Sequence, residues 1–494
     1  MKLLKNKFLL PSILLLLSIF FISIYMLPAE PYDELWNFQN TYKIYNNYQI
    51  YSDANIIITP LFYILGLGFL KLFGATLIAF RYYNILIFVL FFALLYMIFK
   101  KLNVSKHLNF LFLIICFIQI YSVINGGANY NALYINFIFL GILSYLYLSE
   151  KKYFSFLQGL LIFLVFFTKQ NMGIYYFLAT IVYEFIYRKN FKIFFINQIK
   201  KISIFIVLST IICLYFYLDN NLLNFLNYTF GGLLNFGNSN FSFSVSPYLL
   251  MTCLSILIIY FNLLFNKKIF PETVITPERK KNINLLGIIA ISSNFSVFPI
   301  LNTAHFLYII PFYFMILFYF LDFAILEDLF SDSKSNIYIY LIILIVLFGV
   351  LARMSFTIIS PEKPVNRITD KTSPFYSIYF EEENYEKINT MTSYIKEKNI
   401  EGKEVIIITS DACLSMIPLN KSNRAFDLPF KGNLGYNGEN KIIKQIKDSK
   451  NTEFLIYTSE EDCFWQESEK IRNFITKNLV KTGEILNYSI YENK

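Results

Sequence analysis

Long apolar runs separated by short polar loops dominate residues 1–359 of the chain. About 20 apolar residues are needed for one helical crossing of a bilayer. On this pattern we expect transmembrane spans at residues 8–27, 80–99, 108–124, 132–148, 154–167, 173–187, 202–218, 248–265, 285–298, 306–321 and 337–353. The pattern therefore predicts a polytopic α-helical membrane protein with about 11 transmembrane helices.

The pattern changes after residue 359, where apolar residues recur with the spacing of amphipathic helices and short buried strands. Helices are predicted at residues 382–398, 440–450 and 465–479, and strands at 404–409, 453–458 and 484–491. Alternating helices and strands favour a three-layer α/β arrangement. We therefore expect two domains, a transmembrane domain over residues 1–359 and a soluble α/β domain over residues 360–494.

Composition and charge agree with a membrane protein and argue against a nucleic-acid partner. The 494 residues are 56% hydrophobic and only 16% charged, which excludes an ordinary soluble globule. The net charge is +9, but the cations lie in short clusters between apolar runs, as the positive-inside rule describes. This pattern predicts a multi-pass plasma-membrane protein whose N-terminus is cytoplasmic. An odd number of spans then places the C-terminal domain outside the cytoplasm.

An acidic pair, Asp33 and Glu34, follows the first predicted span. Carboxylates are costly in lipid, so the pair must face water or a polar cavity. The pair either solvates the start of an interfacial segment or performs chemistry, with Asp33 as general base and Glu34 as its orienting neighbour. A short apolar run at residues 61–73 follows, too short for a full crossing, and is predicted to be interfacial or re-entrant.

Few cations lie on the predicted outer side of the membrane, and three groups there are suited to phosphate. Arg81 opens a span and Lys169 ends one, while His305 precedes another. Such groups either anchor the helix ends at the membrane interface or stabilise the negative charge of a departing phosphate without a metal. We expect a donor phosphate site at Arg81, Lys169 and His305.

The predicted outer loops also carry amides and a phenol suited to sugar hydroxyls, although ordinary turn residues would look the same: Asn129, Tyr130, Asn131, Gln170 and Asn171. The sequence contains no phosphate-binding glycine loop and no motif with metal-ligand spacing, so neither a metal nor a cofactor is predicted. Cys413 and Cys463 lie in the C-terminal domain and could form a disulfide if that domain is outside the cytoplasm.

The order of these features resembles the GT-C class of polyprenyl-phosphate-sugar glycosyltransferases, which includes protein O-mannosyltransferases and lipid A aminoarabinose transferases. The resemblance is carried by the Asp33-Glu34 pair, the tyrosine-rich loop after it, the Pro60-led helix that ends at Leu72-Phe73-Gly74, Arg81, the Phe167-Thr168-Lys169 segment and the Ala304-His305-Phe306-Leu307 segment before Pro311.

This resemblance implies an inverting transfer on the outer face of the membrane, with Asp33 as base and basic residues holding the phosphate. The donor substrate would be a sugar on undecaprenyl phosphate, and the acceptor a cell-envelope glycan, lipid or protein. The chain departs from several family members at Asn129-Tyr130-Asn131, where they carry an acidic residue. The soluble tails of the family vary, so the resemblance does not identify the acceptor. We expect residues 360–494 to cover the cavity or bind the acceptor.

Two other functions stay open at this point. A flippase for lipid-linked saccharides would use the same outward cavity without chemistry, but it predicts ionisable residues deep within the spans and internal repeats. A ligase or polymerase that moves a whole glycan from its lipid carrier would share the transfer mechanism. The long predicted outer loop at residues 219–246 would suit such a larger donor.

Overall fold

The computed structural model describes residues 27–326 and 365–493, apart from residues 31, 107, 110, 117–129, 189, 244, 267–275, 299, 302, 422–428 and 436–437. The predicted spans at residues 8–27 and 337–353 lie outside the described residues, apart from residue 27, and the span at 108–124 is described only in part. The total of about 11 spans therefore stays a prediction.

Helices make up the first part of the chain, with two short strands late in it. They are α1 (Asp33–Tyr45), α2 (Leu61–Phe73), α3 (Leu77–Lys101), α4 (Tyr130–Leu148), α5 (Phe154–Thr168), α6 (Gln170–Ile186), α7 (Phe191–Leu218), α8 (Leu222–Leu226), α9 (Gly232–Ser239), β1 (Ser242–Phe243), α10 (Val245–Asn266), α11 (Pro277–Ser293), β2 (Ile300–Leu301) and α12 (Thr303–Leu326). Among the described helices, three are suited by length and composition to cross a membrane, α3, α4 and α7.

Local sequence signals account for several helix ends. Helix α2 begins directly after Pro60 and ends at Gly74, whose φ of 98° lies in the left-handed region that glycine adopts without strain. The Thr76 side chain caps α3 by accepting a hydrogen bond from the Ala79 N–H. The short helix predicted at residues 61–73 is therefore confirmed, and it is held between a proline and a glycine.

Residues 219–246, predicted as a long outer loop, instead contain helices α8 and α9 joined by a π-helical turn. Their aromatic side chains pack into the main core: Phe225 stacks on Phe216 with ring centroids 4.6 Å apart, and it meets the Tyr51 ring edge-on at 5.3 Å. Burial of these rings stabilises helical structure that the polar residues around them do not predict.

The C-terminal part of the chain forms a mixed sheet with helices on both faces. Its elements are β3 (Val365–Arg367), β4 (Tyr379–Glu381), α13 (Glu382–Ile400), β5 (Glu404–Ile407), α14 (Cys413–Met416), α15 (Gly438–Asp448), β6 (Thr452–Tyr457), α16 (Glu469–Asn478), β7 (Val480–Ile485) and β8 (Tyr488–Glu492). The strand order is β5-β6-β8-β7, with β5 and β6 parallel and the other pairs antiparallel.

Alternation along β5 explains the layers. Val405 and Ile407 face one side and pack in a cluster with α13, whereas Ile406 and Ile408 face the other side and pack with α15 and α16. In the described residues, helices thus pack on both faces of this sheet. The prediction of a single strand at residues 484–491 is wrong, because the chain reverses at Leu486, whose φ is 50°, and forms the β7–β8 hairpin.

This C-terminal α/β unit packs directly on the helical part. The Ala29 N–H donates to the Tyr379 carbonyl at 2.7 Å, and the Asn240 side-chain amide donates to the Lys431 carbonyl at 2.6 Å. The Cys413 thiol donates to the Gln39 side chain of α1 at 2.5 Å. Cys413 and Cys463 are both free thiols, so the disulfide considered from the sequence is not formed.

Candidate functional site

Asp33 and Glu34 occupy the first turn of α1, but their side chains have different surroundings. The Glu34 carboxylate is buried and forms a bidentate ion pair with Arg81, with Nε–Oε1 at 2.7 Å and Nη2–Oε2 at 2.9 Å. Arg81 also donates from Nη1 to the Leu27 carbonyl at 2.9 Å. The pair thus fixes the start of α1 against α3 and against the segment that precedes α1.

The Asp33 side chain is reached by solvent, although protein surrounds it closely. The carboxylate therefore keeps contact with water while it loses part of its hydration. Partial loss of hydration raises the pKa of Asp33 to about 6. Within the described ranges no hydrogen bond or ion pair holds the Asp33 carboxylate, which leaves it available to a substrate.

A third carboxylate, Glu30, stands at the start of the same helix. Its two oxygens accept hydrogen bonds from the N–H groups of Tyr32 and Glu34, both at 3.0 Å. Burial, followed by the nearby Asp33 carboxylate, raises the pKa of Glu30. The sequence analysis did not select Glu30, although a carboxylate three positions before Asp33 could have indicated it.

Lys169 is the single residue between α5 and α6, where the break in the helices leaves its side chain pointing inward. Its ammonium donates to Asn131 Oδ1 at 2.8 Å and to the Ser296 carbonyl at 3.3 Å. It also lies over the rings of Tyr130 and Tyr134, 5.6 and 5.5 Å from their centroids. The lysine is therefore fixed by one amide, one carbonyl and two aromatic faces.

Tyr130 connects the acidic and basic halves of this site. Asp33 lies close enough to Tyr130 and Tyr308 to interact with them electrostatically, and His305 stands in the same relation to Lys169. Asp33 and Lys169, distant in sequence, thus both lie near Tyr130, and the region around Tyr130, Tyr134 and Tyr308 is termed the tyrosine-lined space. A carboxylate and an ammonium in one polar region can act on a hydroxyl and a phosphate, respectively.

The remaining predicted residues have varied surroundings. Gln170 is buried and donates to the carbonyls of Ile57 and Thr229 at 2.7 and 3.0 Å. The Asn171 side chain accepts from the Met172 N–H at 3.0 Å, and Asn129 lies outside the described residues. These bonds connect neighbouring segments, and the roles of Asn129, Tyr130, Asn131, Gln170 and Asn171 in sugar binding stay predictions.

Tyr134 and Tyr308 were not anticipated from the sequence. Tyr134 stands one helical turn after Tyr130 on α4, and Tyr308 stands three residues after His305 on α12. Residues three or four apart share a helix face, so each tyrosine could have been found from its already chosen neighbour. Tyrosine is frequent in this chain, with 38 copies, which obscures that signal.

No family model and no curated protein matches the sequence. Two solved structures are similar over nearly the whole chain. One is ArnT from Cupriavidus metallidurans bound to undecaprenyl phosphate, with a TM-score of 0.55, 12% identity and coverage of 99% of this chain and 98% of that chain. The other is the same protein in the apo state, with a TM-score of 0.54, 11% identity and coverage of 97% of each chain.

The chain has a GT-C fold. The similarity extends through the C-terminal α/β unit, because 99% of the chain is covered. The fold expected from the motif order is thus confirmed, while identity of 12% or less is too low to transfer an activity or a substrate. Function has to be argued from the site itself.

Proposed function

We propose that this protein is a membrane glycosyltransferase that moves a sugar from a polyprenyl-phosphate donor to an acceptor hydroxyl on the outer face of the membrane. The observation that carries the proposal is that Asp33 and Lys169 both lie near Tyr130, in the tyrosine-lined space. The GT-C fold, shared with an ArnT crystallised with undecaprenyl phosphate, supports the choice of donor.

The proposed reaction is a single displacement at the anomeric carbon. The acceptor oxygen forms a bond to that carbon while the bond from the carbon to the phosphate oxygen breaks. Asp33 takes the acceptor proton, and the electron pair of the broken bond leaves on the polyprenyl phosphate. One displacement inverts the anomeric configuration, and a phosphate needs no proton to depart, so a single base is sufficient.

The basic side of the site supports the departing phosphate. Lys169 is held by Asn131 and by the Ser296 carbonyl, so its ammonium is oriented before the donor arrives. A fixed cation beside developing negative charge lowers the barrier without reorganisation. His305 lies next to Lys169 and is a second candidate ligand. Arg81 is engaged by Glu34 and by the Leu27 carbonyl, and its contact with phosphate stays a prediction.

The test compares wild type with Asp33→Asn in nanodiscs, using a panel of radiolabelled undecaprenyl-phosphate sugars and following sugar release or transfer. Asparagine keeps the shape of the side chain but cannot accept the proton. We expect loss of at least about 100-fold in turnover, the usual contribution of a general base, with donor binding retained. Asp448→Asn, on the exposed end of α15, serves as the matched control and keeps full activity.

The outcomes separate the candidate functions. Unchanged turnover in Asp33→Asn would refute the proposed mechanism. Movement of intact donor between bilayer leaflets by wild type and Asp33→Asn alike, with no sugar release in either, would instead favour the flippase.

A further inference from the structure

A cavity of about 320 Å³ lies in the C-terminal α/β unit and is separate from the tyrosine-lined space. It opens at the carboxyl ends of the parallel strands β5 and β6, where Thr409 and Ile456 contribute to its wall, and α16 closes another side. Ligands of open α/β sheets bind at the carboxyl ends of the strands, and this volume falls at the lower end of the range for small-molecule sites.

One wall of the cavity is aromatic. Phe464 lies between Phe430 and Trp465, with ring centroids at 5.4 and 5.7 Å, and half of the Trp465 surface is exposed. A large indole left in water is unusual in a folded domain, because its burial would be favourable. The C–H face of a sugar ring can cover such a surface while its hydroxyl groups stay free for hydrogen bonds.

Polar groups complete the lining, and carboxylates outnumber cations among them. Glu460, Glu467 and Glu469 contribute carboxylates, whereas Arg472 is the cation of the lining. Glu467 is oriented by the Ser410 N–H, which donates to it at 2.8 Å, and burial raises the pKa of Glu467 to about 7. Carboxylates accept hydrogen bonds from hydroxyl or ammonium groups and repel anions, so this lining disfavours phosphorylated or carboxylated ligands.

Tyr32 connects the aromatic wall of the cavity with the segment that carries Asp33. The Tyr32 ring stacks on Phe464 with centroids 4.9 Å apart. Tyr32 directly precedes Asp33 in the chain. A ligand on the Phe464–Trp465 wall therefore lies beside the segment that carries the proposed base.

We propose that this cavity binds a saccharide unit of the acceptor, a neutral or amino sugar, and so positions the acceptor beside Asp33. The inference rests on the proposed transfer function and adds the chemical class of the acceptor. Trp465 supplies the platform under the sugar ring, and Glu467 accepts hydrogen bonds from its hydroxyl or amino groups.

Intrinsic fluorescence provides a direct test, because the chain contains only two tryptophans, Trp36 and Trp465. The full-length protein in nanodiscs is titrated, without donor, with methyl glycosides of glucose, glucosamine and glucuronic acid. We expect the neutral and amino glycosides to quench fluorescence in wild type and in Trp36→Phe, but not in Trp465→Phe. Like-charge repulsion should make the glucuronide bind roughly tenfold or more weakly.

Two further variants connect binding with transfer. Above pH 7, where Glu467 is mostly ionised, Glu467→Gln keeps an oxygen for the Ser410 N–H but loses the charge. It should then weaken binding of the amino glycoside about tenfold, as loss of a charge-assisted hydrogen bond does. Trp465→Ala should raise, by a similar factor, the glycoside concentration needed for half-maximal transfer. Ile400→Ala, at the exposed end of α13, is the matched control and should change neither quantity.

Failure of this inference and failure of the proposed function are distinguishable. Absence of quenching by every glycoside, quenching that persists in Trp465→Phe, or equal binding of the glucuronide would overturn the saccharide site whatever Asp33 does. Glycoside binding together with unchanged sugar release in Asp33→Asn would leave a saccharide site but remove its assignment to the acceptor of the proposed reaction.

Discussion

Two adjacent carboxylates, Asp33 and Glu34, have different surroundings because consecutive residues on a helix point about 100° apart. Glu34 turns toward Arg81 and is fixed in a buried ion pair, whereas Asp33 turns toward the tyrosine-lined space. Partial loss of hydration, with no ion-pair partner among the described residues, favours the protonated form of Asp33, so its pKa rises, as a base working near neutral pH requires. At the residue scale, the division of roles depends on which neighbour each side chain meets.

The raised pKa of Asp33 predicts the pH dependence of catalysis. Asp33 must be ionised to act as a base, so kcat/KM for donor consumption should be constant above about pH 6 and fall tenfold per pH unit below it. A pH–rate profile of the purified protein measures this. A fall of kcat/KM that begins only near pH 4, the pKa of an ordinary carboxylate, would contradict the partly desolvated environment of Asp33. Glu30→Gln should keep the limb near pH 6, because Glu30 titrates at higher pH.

At the scale of elements, one ion pair fixes the helix that carries the proposed base. Arg81 on α3 meets Glu34 on α1, and both side chains are almost completely buried. Lysine cannot reproduce the two parallel hydrogen bonds of the guanidinium, and an uncompensated buried charge is strongly destabilising. The sequence offered two interpretations for Arg81, a phosphate ligand or an anchor at the membrane interface. The pair with Glu34 is a third role that depends on tertiary contact.

A double-mutant cycle on Glu34→Gln and Arg81→Met tests this role. Each single change should destabilise the protein by roughly 3–5 kcal/mol, because each leaves the other partner buried without its match. The double variant should lose clearly less than the sum, since both changes remove the same interaction. Thermal unfolding in detergent measures these effects. Additive losses would show that the two side chains act independently.

At the scale of the whole molecule, the C-terminal α/β unit forms part of the environment of the proposed base. Tyr32 packs on Phe464, and Gln39 of α1 accepts from Cys413. Gly432 shows how closely the units approach. Its φ is 84°, and an added Cβ would lie 2.5 Å from the Phe236 Cα atom of α9. The unit must therefore lie on the same side of the membrane as Asp33.

Cysteine labelling tests that topology. Ile400 is 88% exposed on the C-terminal unit, and Glu150 is exposed in the turn between α4 and α5, on the predicted cytoplasmic side. In a chain freed of native cysteines, a membrane-impermeant maleimide should label Ile400→Cys in intact cells. It should label Glu150→Cys only after permeabilisation. The reverse pattern would place the C-terminal unit and Asp33 in the cytoplasm and refute transfer on the outer face.

The sequence by itself determined the features that depend on local pattern and composition. Long apolar runs indicated the helices, short apolar runs indicated buried strands of the α/β unit, and Pro60 and Gly74 bounded α2. Hydrophobic patterns and backbone restrictions act over a few residues. The ordered motifs also predicted the GT-C fold. Asp33, Lys169 and His305 were selected as polar residues at the ends of apolar segments, where burial in lipid is excluded.

Only the tertiary structure decided which of these groups meet. Arg81 forms an ion pair with Glu34, and the Lys169 ammonium donates a hydrogen bond to Asn131. Asp33 lies near Tyr130. Each of these contacts joins residues far apart in the chain. Residues 219–246, predicted as a loop, contain helices, and Cys413 and Cys463 are free thiols rather than a disulfide. Long-range packing selects one partner among many of similar chemistry, and residue types in sequence do not specify that choice.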